Sequence, residues 1–402
     1  PNGLLYYKGK YHLFFQHNPE AINWGNMSWG HAVSTDLFNW QELPVAIACT
    51  PTTGIFSGSA VVDHNNTSGF GTRENPPIVA IFTEHQNDES NQSQCIAYSL
   101  DEGLTFTKYE RNPVLNINQA DFRDPKVNWI GDQWVMTVAK PKEFKIAFFA
   151  SPDLKNWKHL SDFGPAAETG GVWECPDLIQ LGDKWVLLVS LNPGGYQIGS
   201  GTQYFVGSWT GSEFIADDTK TRWLDYGRDN YAGVTFSNTP DNKKIFLGWM
   251  SNWHYAAKIP TDPWRSAMTL PRELSLRGDR LIQTPIPHPD GFPEITFTTS
   301  NGSVKIYESA GRYAEVGVRD KKLFVDTTNA WNELEAPTLQ EIPIGDHEID
   351  IRVIIDRSSL EVFADAGAIS VTNLVFVETA LHAIEKLGAI SGFTLSQLEP
   401  KS

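Results

Sequence analysis

A short pattern recurs five times along the chain and restricts its fold more than any other feature. A turn rich in Gly, Lys, Asp or Asn leads into a short apolar run, at 8–16, 77–83, 131–138, 182–190 and 242–250. The anchors of these runs are Tyr11, Ile78, Trp134, Trp185 and Ile245, so the intervals are 67, 56, 51 and 60 residues. Each interval has room for one four-stranded antiparallel sheet with its turns. Five such units predict a five-bladed β-propeller. A second repeat agrees with the first: Val33-Ser34-Thr35-Asp36-Leu37-Phe38-Asn39-Trp40 echoes Ala150-Ser151-Pro152-Asp153-Leu154-Lys155-Asn156-Trp157. Tyr98-Ser99-Leu100-Asp101-Glu102-Gly103 is a weaker copy. Strand signals dominate and long helical periodicity is nearly absent, so the expected class is all-β. The competing reading is an ordinary sandwich with coincidental strand spacing.

The pattern stops near residue 284. The stretch 284–293 holds four prolines; it resists regular structure and reads as a stiff connector. Beyond it, alternating strands such as Ile349-Asp350-Ile351-Arg352-Val353 and Leu360-Glu361-Val362-Phe363 predict a β-sandwich, with Asp356-Arg357-Ser358-Ser359 as a hairpin turn. The expected division is 1–284 propeller, 285–294 linker and 295–402 sandwich. Few strand signals lie between Pro293 and Tyr313, and only 118 residues (402 − 285 + 1) remain from Pro285 onward. A shortened sandwich is therefore expected, packed on the propeller as a structural domain. A sugar-binding module is the alternative.

Charge narrows the partners. With a net charge of −16 and no basic run, the chain repels nucleic acid and anionic membranes, so a neutral substrate is expected. No apolar stretch is long enough for a transmembrane helix. Cys49, Cys95 and Cys175 are far apart, with neither metal-ligand spacing nor a disulfide framework. Triplets for N-glycosylation at Asn26, Asn65, Asn66, Asn91 and Asn301 point to an extracellular protein. The sequence begins at Pro1 without Met and reads as processed or trimmed. Oligomeric state is not legible.

The stretch Gly171-Val172-Trp173-Glu174-Cys175-Pro176-Asp177 is where chemistry is expected. An aromatic, apolar setting disfavours a carboxylate and raises its pKa, leaving Glu174 able to donate a proton near neutrality. A strand-edge glutamate in a surface ion pair would look the same. Two further polar clusters stand out: Pro1-Asn2-Gly3-Leu4 with Gln16, His17 and Asn18, and Phe122-Arg123-Asp124-Pro125. All three lie near blade starts or between blades, segments that converge on a propeller's axis. Two carboxyls and an arginine around one pocket suit glycoside hydrolysis; a structural Arg123-Asp124 ion pair is the alternative.

These motifs, together with Asn23-Trp24-Gly25-Asn26-Met27-Ser28-Trp29-Gly30-His31, Phe56-Ser57-Gly58-Ser59 and Pro260-Thr261-Asp262-Pro263-Trp264-Arg265, resemble glycoside hydrolase family 32, the invertase, exo-inulinase and levanase group. Asp356-Arg357-Ser358-Ser359-Leu360-Glu361-Val362-Phe363 resembles its C-terminal sandwich. The resemblance spans nearly the whole chain. It implies a retaining, exo-acting β-fructofuranosidase that removes terminal fructose from sucrose, inulin or levan, with no metal or organic cofactor. It makes Glu174 the general acid/base and gives Asp124 the fructose hydroxyls and the oxocarbenium-like transition state, with Arg123 beside it. Asn2, Gln16, Trp24, Phe56 and Ser57 would line the fructose pocket, and Trp253 would border an outer sugar site. The family's opening motif reads Trp-Met-Asn-Asp-Pro-Asn-Gly, and its Asp is the nucleophile. That residue would stand immediately before Pro1, so the sequence as given is expected to be nearly inert. The alternatives are a fructosyltransferase, a fructan-binding protein without turnover, and an inverting arabinan-type hydrolase.

Overall fold

Five antiparallel sheets follow one another along the chain, each built from consecutive strands. The computed structural model describes residues 1–308, 311–330, 335–376 and 381–396. The innermost strands of the five blades are Asn2–Tyr7, Thr53–Val62, Arg123–Ile130, Val172–Leu181 and Tyr231–Thr235. The recurring apolar runs are the second strand of every blade: Lys10–His17, Ile78–Gln86, Gln133–Lys140, Lys184–Asn192 and Ile245–Met250.

Those runs are apolar on both faces because each blade is covered on both sides. In Ile78–Gln86, Ile78, Ala80 and Phe82 pack with Leu5, Phe14 and Trp29 of the first blade. The alternate residues Val79 and Ile81 pack with Met136 and Val138 of the third. Further cores join the third blade to the fourth and the fourth to the fifth. The last, with Leu4, Leu13, Val234, Phe236 and Leu247, joins the fifth blade to the first and closes the ring. Backbone bonds seal it: the Tyr6 N–H donates to the Ser237 carbonyl and the Ser237 N–H to the Leu4 carbonyl, both at 2.9 Å.

The second sequence repeat is a structural repeat. Asp36 Oδ1 accepts the N–H groups of Phe38 (2.9 Å) and Asn39 (2.8 Å), and Asp153 Oδ1 accepts those of Lys155 (3.0 Å) and Asn156 (2.8 Å). Trp40 and Trp157 each donate their indole N–H three residues back, to Leu37 and Leu154. Both leucines adopt positive φ, 73° and 63°, which these carboxylate-capped turns impose.

The C-terminal strands form a separate sheet system of eight strands. Its backbone is Glu294–Glu308, a 15-residue strand in the stretch where few strand signals were legible. That expectation was wrong for a physical reason. The strand belongs to two layers, pairing with Ile349–Asp356 through 294–299 and with Tyr313–Arg319 through 302–307. Its inward residues change phase on the way, from Ile295 and Phe297 to Val304 and Ile306, so no single two-residue period runs through it. Both layers bury one core that includes Val316, Val325, Val353 and Val362, the arrangement of a sandwich. Arg357 and Ser358 form the expected two-residue turn between Asp356 and its partner Ser359.

The proline-rich stretch lies back on the first blade, with Phe38 against His288 (4.7 Å between ring centroids) and Phe292 (5.8 Å). A buried ion network ties the two sheet systems. Arg272 of the fifth blade donates to Asp225 Oδ2 at 3.1 Å and to Glu361 Oε2 of the sandwich at 2.6 Å. Each buried charge thus has an opposite partner, which its burial requires.

Candidate active site

Every inner strand is interrupted near its first residues. The pairing with the second strand shifts between Asn2 and Leu5, Ile55 and Gly58, Arg123 and Lys126, Glu174 and Asp177, and Tyr231 and Val234. Gly3, Asp124, Cys175 and Ala232 take positive φ there, between 47° and 66°. Bulges re-aim side chains that a regular strand would point between blades. Gly3 has no alternative: an added Cβ would stand 2.6 Å from the Phe14 ring, at a φ only glycine adopts without strain.

The bulges bring Arg123, Asp124, Glu174 and Tyr231 together. Glu174 Oε1 accepts Arg123 Nε at 3.0 Å and Nη2 at 2.8 Å, and Oε2 accepts the Tyr231 hydroxyl. Asp124, only 7% exposed, accepts the Cys175 N–H at 3.0 Å on Oδ2, where the Cys175 thiol also points at 3.5 Å. The Asp124 N–H donates to Thr83 Oγ1 at 3.0 Å. Burial, reinforced by the Glu174 charge, pushes Asp124 up to about 6 against the pull of Arg123. Burial also weighs against the Arg123 cation, but Glu174, Asp124 and Asp121 outweigh it and hold the guanidinium firmly charged. Tyr231 is pushed well above the ordinary phenol value, by burial first and then by Glu174.

The apolar setting expected for Glu174 is not what surrounds its carboxyl. Trp173 turns the other way, into the core between the third and fourth blades, because neighbours on a strand point to opposite faces. Glu174 instead faces a cation and a phenol. The surface ion pair fails as an explanation too, since Arg123 and Glu174 side chains are 13% and 18% exposed.

The first blade brings its own group. Asn2 is fully buried. In the amide orientation its neighbours dictate, it donates to Ser57 Oγ at 3.1 Å and accepts from Gln16 Nε2 at 2.9 Å. Phe56 stacks on His85 (4.4 Å) and meets Trp24 edge-on (6.2 Å). Trp24 stands at the rim, 64% exposed, where it and Phe56 border a side pocket of about 220 Å³. Gln92 joins the two groups: it accepts from Arg123 Nη1 at 3.3 Å and lies 3.3 Å from His85 Nδ1. Trp253, 44% exposed, is farther out, reached along Tyr231, Trp249 and Trp253 with ring centroids 6.3 and then 5.1 Å apart. Among the described residues no group of three or more His, Cys, Asp or Glu is arranged to hold a metal ion.

Sequence reasoning missed Tyr231, Gln92 and the Cys175 backbone. The repeat carried a signal for the first. That signal is coarse: eleven residues back from the anchors Trp134 and Trp185 stand Arg123 and Glu174, whereas Tyr231 stands fourteen back from Ile245.

Comparison with known proteins identifies the family. The family model for the glycosyl hydrolases family 32 N-terminal domain matches residues 1–285, and that for the family's C-terminal domain matches 293–397. The chain is 40% identical to a levanase of Bacillus subtilis, over 99% of this chain and 67% of that protein. It is 36% identical to an extracellular exo-inulinase of Aspergillus awamori, over 98% and 90%. Among solved structures, a fructofuranosidase variant of Schwanniomyces occidentalis in complex with fructosylnystose superposes with a TM-score of 0.89 at 34% identity, covering 98% of this chain and 93% of that one. The chain belongs to glycosyl hydrolase family 32.

Proposed function

We propose that the protein is a β-fructofuranosidase that hydrolyses terminal fructose from sucrose and fructans, with retention of configuration. The observation that carries this reading is Glu174, held between Arg123 and Tyr231 beside the buried Asp124 on one rim of the propeller axis. Levanase, exo-inulinase and invertase relatives support the substrate class.

In this reading Glu174 gives its proton to the glycosidic oxygen as the bond to the fructosyl carbon breaks. A second carboxylate attacks that carbon from the opposite face. Retaining enzymes place the two carboxyls roughly 5–5.5 Å apart. We assign the attack to an aspartate immediately before Pro1, as in the family motif. Water then hydrolyses the fructosyl-enzyme, with Glu174 taking its proton back. Asp124 accepts the fructose hydroxyls, and Arg123 keeps its neighbouring carboxylates compatible at close range. Asn2, Gln16, Trp24, Phe56 and Ser57 line the fructose site and Trp253 borders the next sugar. The blades up to Pro285 form the catalytic domain, 286–293 the connector, and the strands from Glu294 onward the sandwich. The extracellular exo-inulinase relatives and the glycosylation triplets support an extracellular location.

The test compares two polypeptides: the sequence as given, and the same chain preceded by Trp-Met-Asn-Asp. Fructose release from sucrose by the second alone supports the assignment. Equal release by both shows that another carboxylate attacks. Sugar binding by both without turnover supports a fructan-binding protein instead.

A further inference from the structure

The three bulges that follow Arg123, Glu174 and Tyr231 are tied together where they end. Regular pairing resumes at Lys126 in the third blade, Asp177 in the fourth and Val234, just before Thr235, in the fifth. Lys126, Asp177 and Thr235 are all buried. Asp177 Oδ2 accepts the Thr235 N–H and the Thr235 hydroxyl, each at 2.7 Å. Lys126 Nζ donates to the Thr235 carbonyl and lies 3.7 Å from Asp177 Oδ2. One carboxylate, one ammonium and one threonine therefore join the inner strands of three blades. The tie continues around the ring: the Val127 N–H donates to Ser59 Oγ at 3.0 Å, and Ser237 Oγ to the Ala60 carbonyl at 2.8 Å.

Extensive apolar cores join neighbouring blades. Here a buried ion pair occupies the place that apolar packing would fill at no desolvation cost. Arg123, Glu174 and Tyr231 are each the last paired residue before a bulge, so pairing within a sheet places each in its own blade but does not fix the three against one another. A cross-blade tie at the residues that end the bulges does. We propose that Lys126, Asp177 and Thr235 are positioning residues. They lock the third, fourth and fifth inner strands in register and so set the geometry of Arg123 and Tyr231 on Glu174, without touching the sugar. The role rests on Glu174 being the acid/base.

Thr235→Val tests this with no change of charge. It removes the hydroxyl bond to Asp177 and keeps the side chain's shape. Thr235→Ser restores the hydroxyl, and Tyr231→Phe supplies a reference. The first readout is the carbon-13 chemical shift of the Glu174 carboxyl at one fixed pH, without substrate, assigned with Glu174→Gln. The Arg123 and Tyr231 donors to that carboxyl are untouched by T235V and T235S. Displacing the Tyr231 donor moves the resonance in T235V in the direction in which Y231F moves it, by a smaller amount, and T235S leaves it in place. The second readout is sucrose turnover by the chain carrying the preceding aspartate. In T235V kcat falls about tenfold with KM within about twofold, and T235S recovers it. An unmoved T235V resonance beside a moved Y231F resonance overturns the proposal, as does a T235S chain as defective as T235V. Should T235V not fold, Thr235→Ala replaces it against the same T235S control. If the parent chain turns over no sugar, the enzymatic reading fails while the resonance still decides the positioning role.

Discussion

Replacing Asp124 by Asn should make the protein more stable and less active, and the gain should depend on pH. Burial and the Glu174 charge raise the Asp124 pKa from 3.8 to about 6 in the folded chain. A carboxyl with a raised folded pKa keeps its proton more readily when folded. Its contribution is therefore fully present below about pH 3.8 and is lost as pH rises through about 6. Each pH unit is worth 1.36 kcal/mol, so the ionised group costs about 3 kcal/mol at pH 7. Asn is nearly isosteric, still accepts the Cys175 N–H and carries no charge to desolvate. Urea unfolding at pH 4 and pH 7, on the wild type and D124N, measures the difference. The advantage of D124N should grow by roughly 2–3 kcal/mol between the two pH values. A variant equally stable relative to wild type at both would refute the buried, repelled state of Asp124. Activity should fall despite the gain, since a site that binds hydroxyls through a strained, buried charge trades stability for function.

Three further outcomes follow from the same geometry. Tyr231→Phe removes the hydroxyl that donates to Glu174 Oε2, so kcat for sucrose should fall about tenfold with KM little changed; an unchanged kcat would separate Tyr231 from the acid/base. His12 and His31 pair at 3.1 Å inside the first blade and are held low, at about 4 and about 3, chiefly by burial, with Lys10 adding at His12 and His12 at His31. Because they are depressed below 6.5, the stability they hold is present above that value and is lost as pH falls. His31→Gln should therefore lessen acid destabilisation between pH 6.5 and pH 4 by about 2–3 kcal/mol in denaturant titrations. If Trp253 borders the second sugar, as proposed above, Trp253→Ala should raise KM for a fructan several-fold more than KM for sucrose; equal effects on both would place it elsewhere.

The fold was legible because each blade repeats one local requirement, a second strand apolar on both faces. Tyr11, Ile78, Trp134, Trp185 and Ile245 announce it at near-regular intervals. The strand Glu294–Glu308 escaped because it changes layers midway and its inward phase changes with it. Arg123, Asp124 and Glu174 were found through motifs. The setting of Glu174 was misjudged because its sequence neighbour Trp173 points to the opposite face. What surrounds the carboxyl comes from 51 residues earlier and 57 later, Arg123 and Tyr231. Propeller closure creates that proximity, and no local pattern contains it. The tie among Lys126, Asp177 and Thr235 was hidden for the same reason, since each residue alone reads as an ordinary polar residue in a strand.

The assignment of Glu174 as acid/base stands or falls on Glu174→Gln in the chain carrying an aspartate before Pro1. Sucrose turnover and sugar affinity should be measured on the same preparation. With Glu174 as the proton donor, kcat falls by about 10²–10⁴ while fructose binding stays within a few-fold. Turnover within tenfold of the parent would contradict the assignment and put the proton donor elsewhere in the ring.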